Sequence, residues 1–126
     1  MRERASYHAM RDRYGDAVIH PNSVMRLSER QFAQRESLNA LGSRFNKVTE
    51  PLDPDLDVDW TPIWSLSQER RCYLPSQLLV MGRLDSDESW IAMGCSNGNA
   101  AGNTLEEAVL QGLLEVVERD SIAIWW

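Results

Sequence analysis

The stretch Thr104-Leu-Glu-Glu-Ala-Val-Leu-Gln-Gly-Leu-Leu-Glu-Val-Val-Glu-Arg-Asp120 decides how this chain is read. Thr104 and Glu107 have the spacing of a T-x-x-E capping box, and Glu106 and Glu107 place negative charge where the dipole at a helix start favours it. At about 100° per residue, Leu105, Ala108, Val109, Gly112, Leu113 and Val116 fall on one face, which Leu110, Leu114 and Val117 widen. Most of the circumference is then apolar, which predicts a long helix buried on most sides. Gln111, Glu115 and Glu118 share the narrow stripe that remains, with Glu107 near it. Arg119 falls at the edge of the apolar sector and Asp120 within it. Carboxylates on a buried helix need arginine, hydrogen bonds or metal ions beside them, because uncompensated burial of charge is costly. Hard oxygen donors three and four residues apart suit Mg²⁺. A solvated stripe closed by an Arg119 salt bridge accounts for the same spacing, and spacing alone leaves both readings open.

Upstream of that helix, Gly94 to Gly102 is a loop of small residues. Its glycine spacing is neither a dinucleotide fingerprint nor a Walker loop, although such a loop at a helix start can approach a phosphate closely. Further back, Ile63–Leu66 and Arg71–Leu74 flank the polar run Ser67-Gln-Glu-Arg and predict a hairpin. Leu78–Met81 and Trp90–Met93 read as a third and a fourth strand, with Asp85-Ser-Asp-Glu-Ser as a solvated turn between them. Pro51 to Asp59 is acidic, holds two prolines and reads as a loop. Its alternating aspartates are no calcium loop, since Val58 and Trp64 stand where a glycine and a glutamate would be required. Ser28-Glu-Arg-Gln31 has the form of a capping box opening a polar segment to Leu41. The thin apolar face there (Phe32, Leu38, Leu41) fits a helix or a loop with helical turns. Residues 2–14 read as a charged helix lacking a capping residue at its start and broken by Pro21-Asn-Ser. The fold class expected is α/β in the α+β sense: a mixed or antiparallel sheet over roughly residues 60–95, packed against helices and covered by the long terminal one.

Composition bounds the functions available. With 126 residues the chain suffices for one domain rather than two. Thirteen basic against 19 acidic residues give a net charge of −6, which argues against coating nucleic acid. No apolar run approaches the roughly 20 residues of a membrane-spanning helix, and the amino terminus has no secretory signal. The expected setting is therefore cytoplasmic, with neither nucleic acid nor membrane as partner. Cys72 and Cys95 make no disulfide framework and no Cys-x-x-Cys zinc site. Cys72 reads as a small core residue, His8 and His20 as ordinary polar residues, and Trp60, Trp64 and Trp90 as packing residues. The closing run Ser121-Ile-Ala-Ile-Trp-Trp126 is apolar where chain ends are commonly polar. That run, with the uncapped start, predicts a fragment truncated at both ends.

The block Ser96-Asn-Gly-Asn-Ala-Ala-Gly-Asn-Thr-Leu-Glu-Glu-Ala, followed by Glu115-Val-Val-Glu118-Arg119-Asp120, closely resembles the YcaO family. Within that family it looks like the azole-forming cyclodehydratases of thiazole/oxazole-modified peptide biosynthesis. Phe32 after Ser-x-x-Gln, Trp60-x-Pro62-x-x-Ser65-Leu66 and Leu74-Pro75 agree in order. The resemblance implies that residues 1–126 are the amino-proximal part of a single YcaO-like ATP-binding domain. It implies ATP and Mg²⁺ as cofactors, and phosphorylation of a peptide amide oxygen as a Cys, Ser or Thr side chain closes to a thiazoline or oxazoline. Carried over residue by residue, an E-x-x-E-R motif falls on Glu115, Glu118 and Arg119, with Gln111 one turn earlier at a nucleotide-contact position. Glu3-Arg4 looks like the tail of a companion motif. The implied metal ligands are Glu3, Glu115 and Glu118, and the implied cofactor-binding set adds Arg4, Gln111 and Arg119. The implied partners are a ribosomally made precursor peptide and a leader-binding protein, and the pattern admits a homodimer. Asn99 departs from the family, which often has an apolar residue there. Other members form thioamides or assist methylthiolation of a ribosomal protein, and a non-catalytic scaffold is the alternative from another class.

Overall fold

The computed structural model describes residues 1–42, 47–81 and 89–125. The elements run β1 (Glu3–Ala5), α1 (Tyr7–Tyr14), α2 (Pro21–Met25), α3 (Glu29–Ala33), α4 (Arg35–Ala40), β2 (Val58–Ser65), β3 (Arg70–Pro75) and α5 (Leu105–Trp125). Short 3-10 turns lie at Gly15–Ala17 and Ser76–Leu78. The chain divides into two compact units, Met1–Gly94 and Cys95–Trp126. The fold is α+β, and its sheet is wholly antiparallel in the order β1-β2-β3.

The hairpin forms where the runs Ile63–Leu66 and Arg71–Leu74, on either side of the polar Ser67-Gln-Glu-Arg, placed it. Ile63 pairs with Cys72 and Trp60 with Pro75. Its turn is closed by Glu69, whose φ of 49° is left-handed. The third strand is not Leu78–Met81 but β1, which pairs with β2 in the register Glu3↔Trp60 and Ala5↔Val58. Trp60 explains the choice. It is fully buried, and its indole Nε1 donates to the Ala5 carbonyl at 2.9 Å, so the amino terminus supplies both a wall and an acceptor for the largest core side chain. Met10, Val18, Val58, Ile91 and Ala92 complete that core.

Leu78–Met81 instead follows a 3-10 turn, and Trp90–Met93 forms no strand. Here one side chain meets most of the backbone that a ladder would have met, beside a backbone bond from the Glu50 amide to the Trp90 carbonyl at 2.7 Å. The buried Gln77 accepts from the Ile91 and Ala92 amides at 3.2 and 3.3 Å and donates to the Ser89 carbonyl at 2.9 Å. A backbone whose donors are met this way has no need of a neighbouring strand. The Asp85–Ser89 turn lies outside the described residues apart from Ser89.

The amino-terminal helix begins later than the charge pattern suggested. Ser6 caps α1, its Oγ accepting from the Ala9 amide, and residues 3–5 are spent on the sheet. Pro21 starts α2 rather than merely ending a helix, as a proline at the first helical position can. The imidazole Nδ1 of His20 accepts from the Asn22 amide there. The Ser28–Gln31 capping box is present, and its segment breaks at Gln34 into α3 and α4. Cys72 is buried and Cys95 exposed, while Trp64 projects outward. No helix among the described residues is long and apolar enough to cross a membrane.

Candidate functional site

The carboxyl-terminal unit is one helix and the loop that folds back on its first half. Thr104 Oγ1 accepts the Glu107 amide at 3.2 Å, as the capping box requires. The reciprocal bond lands one residue early: Glu107 Oε2 accepts from the Asn103 amide at 2.7 Å and from Asn103 Nδ2 at 3.2 Å. The helix therefore starts where the sequence placed it, and its cap extends into the loop.

The expectation of a helix buried on most sides is not met. Gly112 is the one buried residue of α5, whereas Leu110, Leu113 and Leu114 are each more than half exposed. Geometry gives the reason within this unit. A helix of 21 residues is about 31 Å long, and the short loop from Cys95 to Thr104 can cover only a small part of that surface.

The polar stripe is consequently solvated rather than buried, and one pair in it is organised. Glu115 Oε1 accepts from Arg119 Nε at 2.8 Å, and Glu115 Oε2 accepts the backbone amide of Gly98. The Gly98 amide, and after it the Arg119 guanidinium, hold the Glu115 carboxyl below the usual carboxylate range. Arg119 is pushed further above its own ordinary value, chiefly by the hydrogen bond to Glu115 and with a contribution from Glu118. Gln111 and Glu118 are exposed on the same helix. The salt-bridge reading of the stripe is thus realised, and it leaves Glu115 ionised.

Glu3 and Arg4 lie in the amino-terminal unit, on β1. Glu3 accepts from the Tyr14 hydroxyl at 2.9 Å and from Arg13 Nη1, which ties β1 to the end of α1. The bond to Glu3 is the first cause of a raised Tyr14 pKa. Arg4 pairs across the sheet with Asp59 at 3.6 Å, matching their opposed register positions.

Whether these groups suit a magnesium ion can be asked of the donors themselves. Glu115 is an ionised oxygen donor, each oxygen of which retains a lone pair beyond the bond it accepts. Glu118 stands three residues on and is exposed. That donor chemistry fits Mg²⁺, which keeps water and phosphate oxygens in its shell. Within either unit, no group of three or more His, Cys, Asp or Glu is gathered as a ready-made metal cage among the described residues. Sequence reasoning missed Gly98 and Asn103, whose backbone amides bind the carboxylates. The available signal was Gly112, because a glycine inside an otherwise strong helix costs about 1 kcal/mol against alanine and marks a close approach.

Residues 1–126 match the family model described as YcaO cyclodehydratase, ATP- and Mg²⁺-binding. A solved heterocyclase in complex with substrate and cofactor is 42% identical, with a TM-score of 0.84 over 99% of this chain and 16% of its own. The heterocyclase TruD is 41% identical, with a TM-score of 0.82 over 99% of this chain and 18% of its own. The chain thus spans less than a fifth of the length of either heterocyclase. No curated protein sequence matches.

Proposed function

This chain belongs to the YcaO family, and on that premise we propose that it supplies part of the nucleotide site of an ATP-dependent peptide cyclodehydratase. The observation that carries the proposal is the Glu115–Arg119 pair on α5, bonded through Glu115 to the loop before it. Glu115 and Glu118 would hold magnesium, Gln111 would contact the nucleotide, and Arg119 would orient Glu115 or meet a phosphate. Glu3 and Arg4 are proposed as the contribution of β1 to the same chemistry. Bound magnesium would neutralise charge developing on the transferring phosphoryl group.

In the reaction proposed, a Cys, Ser or Thr side chain of a ribosomally made precursor peptide attacks the preceding amide carbonyl. The amide oxygen takes the γ-phosphoryl group of ATP and leaves as phosphate, so a thiazoline or oxazoline forms with ADP as co-product. The residues of this chain act on the charge of that transfer: an ionised Glu115 at neutral pH needs no deprotonation before it can bind a cation. A leader-binding protein and a cytoplasmic setting belong to the same proposal.

Calorimetric titration of Mg-ATP into the full-length protein that carries this sequence tests the reading. Binding by the parent and its loss in Glu115→Gln and Glu118→Gln are expected. A parent that ignores ATP, or variants with unaltered affinity, would overturn it.

A further inference from the structure

Two glycines of the carboxyl-terminal unit make contacts that no side chain would allow, and a third has a backbone that favours glycine. A Cβ on Gly112 would stand 2.7 Å from the Gly98 carbonyl oxygen, and one on Gly102 would stand 2.5 Å from the Ala108 amide nitrogen. Gly98 has φ +81°, in the left-handed region that favours glycine, and a Cβ there would also press on Val116 Cγ2 at 3.0 Å. Two carboxylates bind the loop at matching points. Glu115 takes the Gly98 amide and Glu107 takes the Asn103 amide. The loop is therefore fastened to α5 at both ends, backbone on backbone, with Asn99, Ala100 and Ala101 exposed between the fastenings.

We infer that Gly112 and Glu115 are positioning residues that seat the loop of residues 95–103 on α5 and so set its place beside the nucleotide. The part concerning nucleotide rests on the function proposed above; the seating itself does not. Glu115 then has two roles, one toward a cation and one toward the loop. Gly112 has only the second, because it carries no donor, acceptor or charge beyond its backbone. A glycine without such a role would be a plain defect in the helix, and alanine in its place would strengthen α5.

That opposition makes Gly112→Ala decisive. The first readout is amide hydrogen exchange at Gly98 in the 126-residue chain without nucleotide, beside helix content by circular dichroism. Exchange at Gly98 should rise about five- to tenfold in Gly112→Ala and Glu115→Ala, the scale of one lost hydrogen bond, while helix content holds or increases. Glu115→Gln keeps a side-chain carbonyl acceptor and should retain part of the protection. Unchanged Gly98 exchange in Gly112→Ala would overturn the seating. The second readout is Mg-ATP affinity of the same variants in the full-length protein. Affinity about fivefold weaker in Gly112→Ala, with thermal stability equal or higher, supports the positioning role. Unaltered affinity in a variant whose loop has come loose would overturn it. A parent that binds no ATP while Gly112→Ala still frees the Gly98 amide would sink the nucleotide reading and leave the seating standing.

Discussion

The two units of this chain are held by different forces. Around Trp60, β1, the hairpin and the segment at Ile91 bury apolar side chains against one another, and their polar backbone is met by ladders and by Gln77. In the carboxyl-terminal unit little apolar surface is lost, and the loop stays on α5 through two carboxylates and close backbone contact at glycine. The first unit should therefore respond to lost volume, and the second to lost hydrogen bonds and added methyl groups.

The strongest test compares two tryptophans on one strand. Trp60 is fully buried and Trp64 is 63% exposed. Trp60→Ala should destabilise the chain by about 3–5 kcal/mol in denaturant unfolding, or prevent folding outright. Trp64→Ala should change stability by under about 0.5 kcal/mol. Equal effects would mean that the amino-terminal core is not centred on Trp60.

Gln77→Ala comes next. It removes the side-chain acceptor of the buried Ala92 amide and one of the two acceptors of the Ile91 amide, and should cost about 1–3 kcal/mol, because the Ala92 donor loses its bond to Gln77 without regaining water. Gly94, whose missing Cβ would stand 2.6 Å from the Val80 carbonyl, marks how tightly the same segment is packed. If Gln77→Ala is neutral, the segment at Ile91 is held by apolar packing and the Glu50–Trp90 backbone bond without it.

These residues also show what could be read before the structure. The hairpin and α5 were legible because turn and capping chemistry are local: Ile63–Leu66 and Arg71–Leu74 flank a polar turn, and Thr104 with Glu107 marks a helix start. The third strand was not, because β1 has only three residues and its place depends on Trp60, 55 positions beyond Ala5. Trp90–Met93 has strand composition but takes its partners from the Gln77 side chain and from the distant Glu50 amide, which no pattern of two or 3.6 residues records. At the candidate site, the carboxylate stripe and Arg119 were legible by spacing. The Gly98 amide was not, since a backbone donor carries no sequence label.

Acid should separate the units by the sign of two shifts. The carboxyl of Glu115 lies below its ordinary value in the fold, so its stabilisation is complete above the unfolded pKa and is lost as pH falls through the folded one. His20 is also lowered, by partial burial, so the fold disfavours its charged form and loses stability as pH falls below the ordinary histidine range. The losses come in order: His20 first, weakening the core unit, and Glu115 later, freeing the loop. Hydrogen exchange followed at Gly98 and at Ile91 during acidification checks it. Release of Gly98 before Ile91 would break the assignment of the two groups to their two units.

The smallest effect expected is at Leu113, and it bears on the expectation that α5 would be buried on most sides. A leucine on the apolar face of a buried helix loses about 2–5 kcal/mol on truncation to alanine. Leu113 is 59% exposed, so Leu113→Ala should shift stability by under about 0.5 kcal/mol. The comparison with Gly112→Ala is then unusual. Removing most of a large apolar side chain does almost nothing, while adding a single methyl at the neighbouring residue loosens the loop. A loss of several kcal/mol at Leu113 would restore apolar burial as the force that holds α5. A negligible loss leaves the glycine contact and the Glu115 bond as what fixes this face of the helix.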